Sequence, residues 1–189
     1  MKLLTIDTET AGLAPASGTG VCDIAIACVD EDFQVYWKIE SLIDPECEIS
    51  PQAMGVHHIT QEMVWDQPTL EEFMRTHRYP LSDVDVIVGH KIDFDIRFVR
   101  DYLPERFEII DTLKLSRHLW PDAENHKLQT LRYTFGLDAG SAHRAMGDVI
   151  TTISLARHIC EAADTDARGL LQLMSVPLPL TTRISFGKH

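Results

Sequence analysis

The chain is poor in basic residues for its length: 17 Lys and Arg stand against 29 Asp and Glu, a net charge of -12 over 189 residues. That balance argues against a protein that binds nucleic acid through a general basic coat. It leaves room for an acidic site that accepts a phosphate backbone once bound cations neutralise it and a few Lys and Arg flank it. No apolar stretch approaches membrane-spanning length. The run Met1-Lys2-Leu3-Leu4 meets an acid at Asp7, which makes it too short for a signal peptide. Cys22, Cys28, Cys47 and Cys160 lack zinc-type spacing and are expected to be reduced thiols in a cytoplasmic protein. Internal repeats and low-complexity linkers are also missing. The length fits one domain, expected over residues 1–165, with 166–189 as a C-terminal tail packed on it.

What is present begins with Leu3-Leu4-Thr5-Ile6-Asp7-Thr8-Glu9-Thr10. A short apolar run ends abruptly in two carboxylates, followed by Ala11-Gly12-Leu13. In a strand, residues i and i+2 share a face, so Asp7 and Glu9 are expected side by side at a strand end. Two like charges so close repel, and one pKa should rise unless a cation sits between them. Hard divalent cations with oxygen ligands meet that need. An acidic strand-to-loop exit is the plainer reading of the same residues.

Residues Val21–Val29 and Gln34–Ile43 read as two further strands, joined by a polar turn at Asp30-Glu31-Asp32. With the first strand they predict an antiparallel meander. Pro51–His58 predicts a short helix ending near Gly55, and Thr60 can cap a turn over Gln61-Glu62-Met63. Thr69 and Glu72 form a capping box for a helix that Pro80 should stop. Asp85–His90 is a compact apolar strand, and Phe94, Phe98, Val99 and Tyr102 follow at helical spacing. Glu108-Ile109-Ile110 is another strand, and Asp111 caps the helix that Pro121 ends. Leu128–Phe135 predicts a helix closed by Gly136, and 145–162 is the longest helical pattern. Strand and helix alternating after a meander point to an α/β fold with a mixed sheet.

Two downstream clusters join the first. Gly89-His90-Lys91-Ile92-Asp93-Phe94-Asp95 lies where a strand hands over to a helix, the usual place for a site in an open α/β sheet. Asp93 and Asp95 are about 200° apart on a helix, so at most one can face the strand end. Both also complement the dipole of a helix N-terminus. In His143-Arg144-Ala145-Met146-Gly147-Asp148, the His and the last Asp are about 140° apart on an ideal helix. They can meet only if His143 lies in the loop before the helix, where Gly140-Ser141 give freedom, and Asp148 in its first turns. Together Asp7, Glu9, Asp95 and Asp148 can hold two divalent ions, which would clamp both oxygens of a phosphoryl transfer. His143 is the candidate base.

Asp-x-Glu, then His-x4-Asp, then His-x4-Asp, in this order, resembles the DEDDh family of 3′–5′ exonucleases (DnaQ-like). That family includes polymerase proofreading subunits, ribonuclease T and oligoribonuclease. The resemblance covers residues 1 to about 162. It implies a ribonuclease H-like mixed five-stranded sheet in the order 3-2-1-4-5, flanked by helices. It also implies two Mg²⁺ or Mn²⁺ ions, with Asp7, Glu9, Asp95 and Asp148 as ligands and His143 as base. Ile49-Ser50-Pro51-Gln52-Ala53-Met54, His57 with Ile59-Thr60, Lys114-Leu115 with Arg117, Leu119-Trp120-Pro121 and Phe186-Gly187-Lys188 are similar to the exodeoxyribonuclease X branch of the family, which extends the resemblance over nearly the whole chain. It departs at His90-Lys91, where the family usually has His-Asn. Lys91 can meet a phosphate or serve as a plain ion-pair partner.

The function so implied is release of 5′-mononucleotides from DNA 3′ ends. An exoribonuclease or oligoribonuclease acting on RNA 3′ ends, and a proofreading module of a polymerase, are the alternatives. DNA, single-stranded or as duplex ends, is the expected partner, with no membrane; a homodimer is a further candidate. Backbone groups of Thr8 and Thr10 are candidate contacts for the terminal nucleotide. Leu13 can stack under its base or close the core edge. His57 lines the nucleotide pocket by resemblance, or is a satisfied surface histidine. Arg97, Arg100, Lys127, Arg132 and Arg144 can line a basic path or form surface ion pairs of little net worth.

Overall fold

The computed structural model describes residues 1–12, 20–138 and 143–175. At its centre is strand β1 (Leu3–Thr10), flanked by antiparallel β2 (Val21–Val29) on one side and parallel β4 (Val86–Gly89) on the other. β3 (Val35–Leu42) pairs antiparallel with β2, and β5 (Glu108–Asp111) pairs parallel with β4. The sheet order is therefore β3-β2-β1-β4-β5, the expected mixed sheet.

The period of two along each strand divides the core between two faces. On one face Leu3, Ala25, Ala27, Val86, Val88 and Ile110 pack with α6 (Thr112–Leu119), α7 (Leu128–Phe135), α8 (Ala145–Ala163) and α9 (Ala167–Ser175). On the other, Leu4, Ile6, Ile24, Ile26 and Ile87 pack with α3 (Leu70–Thr76) and α5 (Asp93–Val99). Because β1 alternates, Asp7 and Glu9 share the face of Leu3, toward α8, while Thr8 shares that of Leu4 and Ile6, toward α5. Two helix ends follow directly from the sequence. Asp111 accepts from the Leu113 backbone N–H at the start of α6, and Gly136 closes α7 at φ 61°. At Gly89 a Cβ would come within 2.5 Å of the Ile92 side chain, so only glycine allows β4 to turn so tightly into α5.

Two helix ends and one cap differ from the sequence expectation. Helix α1 (Pro51–His57) runs through Gly55 and ends at His58, which adopts φ 59° and bonds the Met54 carbonyl. Thr60 stands at the N-cap of α2 (Gln61–Val64) without a side-chain cap bond. The capping box of Thr69 and Glu72 is present, but α3 ends at His77, and Pro80 lies inside the next helix, α4 (Arg78–Leu81). Proline is tolerated in a first turn, where its missing N–H would have no partner anyway. In α9, Ala167 and Leu170 are buried in the same core as α6 and α8; residues 176–189 lie outside the described residues.

Candidate active site

The end of β1 carries the site because its hydrophobic face runs out there. Up to Ile6 the strand is buried; Asp7, Glu9 and Thr10 are partly open. A register irregularity between Glu9 and Thr10 marks the exit. The first turn of α5 brings Asp95, which is 5% exposed, beneath β1. Its Oδ1 accepts from both the Thr8 backbone N–H (2.9 Å) and the Thr8 hydroxyl (2.7 Å). Asp93, on the other side of α5, instead pairs with Lys114 at 3.1 Å in the open. Only Asp95 turns inward, as the helical spacing requires.

The third element is α8. His143 lies just before it, in the left-handed region at φ 58°, and Asp148 in its first turn. Ligand atoms of Glu9, His143 and Asp148 all lie within 4.8 Å of one another. Asp7, Glu9, Asp95, Asp148 and His143 line a single cleft, together with Thr8, His90, Lys91 and Phe94. Residues from three parts of the chain thus converge.

The electrostatics of the cleft are those of unbalanced carboxylates. Burial first, then the charges of Asp95, Asp148, Glu9 and Asp23, hold Asp7 well above the usual carboxylate range. Burial, with Asp148, Asp23 and Asp95 nearby, pushes Glu9 up to about 7, against a small pull from Arg144. Asp95 is raised to about 7 by burial, opposed by its bonds from Thr8. Burial also raises Asp148, while His143, Gln129 and Arg132 pull it back. Clustered acids with raised pKa values and little fixed positive charge among them fit a cation site. Clustered carboxylate oxygens are the donor type that hard divalent cations prefer.

Several placements change the sequence reading. The Thr8 N–H is committed to Asp95, so it is not open to a nucleotide. The Thr10 carbonyl accepts from His57 Nε2 at 3.2 Å, and the Thr10 hydroxyl donates to the Gly12 carbonyl. His57 Nδ1 accepts from the Ile59 N–H at 3.0 Å, which fixes the neutral Nε2–H tautomer. His57 is buried at 3% exposure rather than on the surface. It nonetheless lines, with Thr8, Glu9, Thr10, Gly12, Ser50, Val56 and Phe94, a cavity of about 240 Å³ beside the acidic cleft. Leu13 lies outside the described residues, as does the loop at Gly140-Ser141. Of the five basic residues, Arg100 bonds the Pro104 and Glu105 carbonyls and Arg132 bonds Gln129. Arg144 donates from Nε to Asp23 Oδ2 at 2.9 Å, with Asp23 fully buried.

Asp23 and Gln129 are site residues that sequence reasoning missed, and Thr8, expected as a nucleotide contact, holds Asp95 instead. Asp23 stands opposite Glu9 on β2 and, through Arg144 and the Ala145 N–H, ties the His143 turn to the sheet. Gln129 donates to Asp148 Oδ1 at 2.6 Å and so orients that carboxylate. A charged residue inside the otherwise apolar run Val21–Val29 was the one local signal for Asp23; Gln129 had none.

Residues 4–156 match the RNase_T family, described as exonuclease. That span takes in α5, nearly all of β1 and the first part of α8, and with them Asp7, Glu9, Asp95, His143 and Asp148. The chain belongs to this exonuclease family. Exodeoxyribonuclease 10 of Escherichia coli (strain K12) is 33% identical over 192 residues, spanning 99% of this chain and 81% of the relative. Among solved structures, exonuclease X in complex with 5′ overhanging duplex DNA is similar at a TM-score of 0.72 and 32% identity, over 90% of this chain and 98% of that one. DNA polymerase III PolC-type of Bacillus subtilis (strain 168) is 30% identical over 80% of this chain but only 11% of its own length, so the likeness is to one segment of a much larger protein. The sheet order of this exonuclease is the one the DEDDh resemblance implies.

Proposed function

We propose that this exonuclease is a metal-dependent 3′–5′ exodeoxyribonuclease that releases 5′-mononucleotides from DNA 3′ ends. The observation that carries the reading is the convergence of Asp7, Glu9, Asp95, Asp148 and His143 on one cleft in a member of the exonuclease family. The preference for DNA rests on the likeness to Exodeoxyribonuclease 10 along the whole chain. Asp7, Glu9, Asp95 and Asp148 would hold two Mg²⁺ or Mn²⁺ ions, which supply charge stabilisation to the attacking and leaving oxygens. His143, exposed at the rim and within reach of Glu9 and Asp148, takes the proton of the attacking water. Thr8 locks Asp95 in one rotamer and Gln129 does the same for Asp148, so the acids are set before substrate arrives. The cavity walled by Thr10, Val56, His57 and Phe94 adjoins the acids through Thr8, Glu9 and Phe94 and would receive the terminal nucleoside. His57 contributes its ring there, since both its nitrogens are spent on backbone.

The test is digestion of 5′-labelled DNA and RNA strands of one sequence with Mg²⁺ or with EDTA. Stepwise shortening of DNA, abolished by EDTA and by Asp148→Ala, is expected, with the variant folded. His143→Ala should cost turnover far more than metal binding. Degradation of RNA in preference to DNA would favour the exoribonuclease alternative, and undiminished hydrolysis by Asp148→Ala would end the assignment.

A further inference from the structure

We infer that Lys91 is a substrate-binding residue of this chain, its ammonium meeting a phosphate of the nucleic acid at the mouth of the acidic cleft. The inference rests on the nuclease reading above and adds a residue to it. Lys91 is exposed and lines the cleft that holds all four acids and His143. Its backbone stands at φ 67°, in the left-handed region, and its N–H donates to Asp111 Oδ1 at 3.0 Å. Asn enters that region far more readily than lysine does. A lysine held there carries strain that the turn alone does not require.

The plain ion-pair role is filled by another residue. Asp93 and Asp111, the acids flanking this turn, are both within reach of Lys114, at 3.1 and 3.7 Å. Lys91 has no ion-pair partner among the described residues. Its charge is therefore left to the cleft. Two divalent cations would only balance the four carboxylates, and the chain as a whole carries -12. A fixed cation at the rim adds to the attraction on an incoming phosphodiester.

The experiment uses the full chain and a fluorescently labelled single-stranded DNA oligonucleotide. Anisotropy titrations with Mg²⁺ at several salt concentrations compare His143→Ala with His143→Ala carrying Lys91→Asn, Lys91→Gln or Lys91→Arg. Loss of one phosphate contact should flatten the slope of log affinity against log salt by about 0.7, and Lys91→Arg should keep it. With His143 intact, Lys91→Asn should raise KM about tenfold with kcat unchanged, the size of one charge-assisted hydrogen bond. Its melting temperature should equal or exceed that of the parent, because Asn fits the turn, which separates lost binding from lost folding. The same slope and KM for Lys91→Asn and the parent would overturn the inference and leave the nuclease reading standing. A parent that neither binds nor shortens DNA would overturn both.

Discussion

Replacing Glu9 by Gln should make the cation-free protein more stable while abolishing its activity. Glu9 is held at about 7 against an ordinary value of 4.5, chiefly by burial and then by Asp148, Asp23 and Asp95. A folded-state pKa raised in this way gives stability that is fully present below about pH 4.5. It is lost as pH rises through about 7, because the unfolded chain releases the proton and the folded one resists. The shift corresponds to about 3 kcal/mol at pH 8. For a chain of this length that is roughly 6–12 °C in melting temperature. In EDTA at pH 8, Glu9→Gln should therefore melt several degrees above the parent, and at pH 4.5 the two should nearly coincide. The parent should recover the difference at pH 8 when Mg²⁺ or Mn²⁺ is added, since a ligand that binds only the folded state stabilises it. The variant, missing a ligand, should recover less. Calorimetry across pH 4.5–8 with and without the cation reads all of this. Equal melting of the two proteins at pH 8 in EDTA would refute the electrostatic argument, because the acids would then not be in conflict.

Two other perturbations follow from the same geometry. Arg144→Ala leaves Asp23 fully buried with neither carboxylate oxygen paired to a cation, since Asp23 Oδ1 already has no partner among the described residues. Chemical denaturation should show a loss of about 2 kcal/mol, less than for a wholly buried pair because Arg144 is partly exposed, and kcat should fall as the His143 turn loosens. Thr5, in the middle of β1, is fully buried with its hydroxyl unpartnered among the described residues. Thr5→Val, of the same shape, should stabilise the protein by about 1 kcal/mol in the same assay without changing activity.

How much of this was legible depends on how far apart the partners lie in the chain. Asp7 and Glu9 could be placed on one face because strand periodicity is local, and Asp95 could be separated from Asp93 because helix periodicity is too. His143 was placed in a loop because no regular helix could bring it to Asp148. Thr8 and Asp95 are 87 positions apart, and Asp23 and Arg144 are 121 apart, and no spacing rule reaches so far. His57 shows the other limit. The family resemblance pointed it to the pocket, but only the Ile59 N–H and the Thr10 carbonyl reveal that its nitrogens serve the fold. The end of α3 was misjudged because Pro80 reads as a stop in an interior and as neutral in a first turn. The departure at Lys91 was visible as a residue type, and its left-handed backbone was not.

The most direct test of the acidic cleft is an anomalous difference map from crystals of the full chain grown with Mn²⁺ and a 5′-mononucleotide. Two peaks about 3.5–4 Å apart, touching carboxylates of Asp7, Glu9, Asp95 and Asp148 and the nucleotide phosphate, are expected. Manganese bound elsewhere, with these carboxylates free of metal and the nucleotide in another groove, would contradict the account.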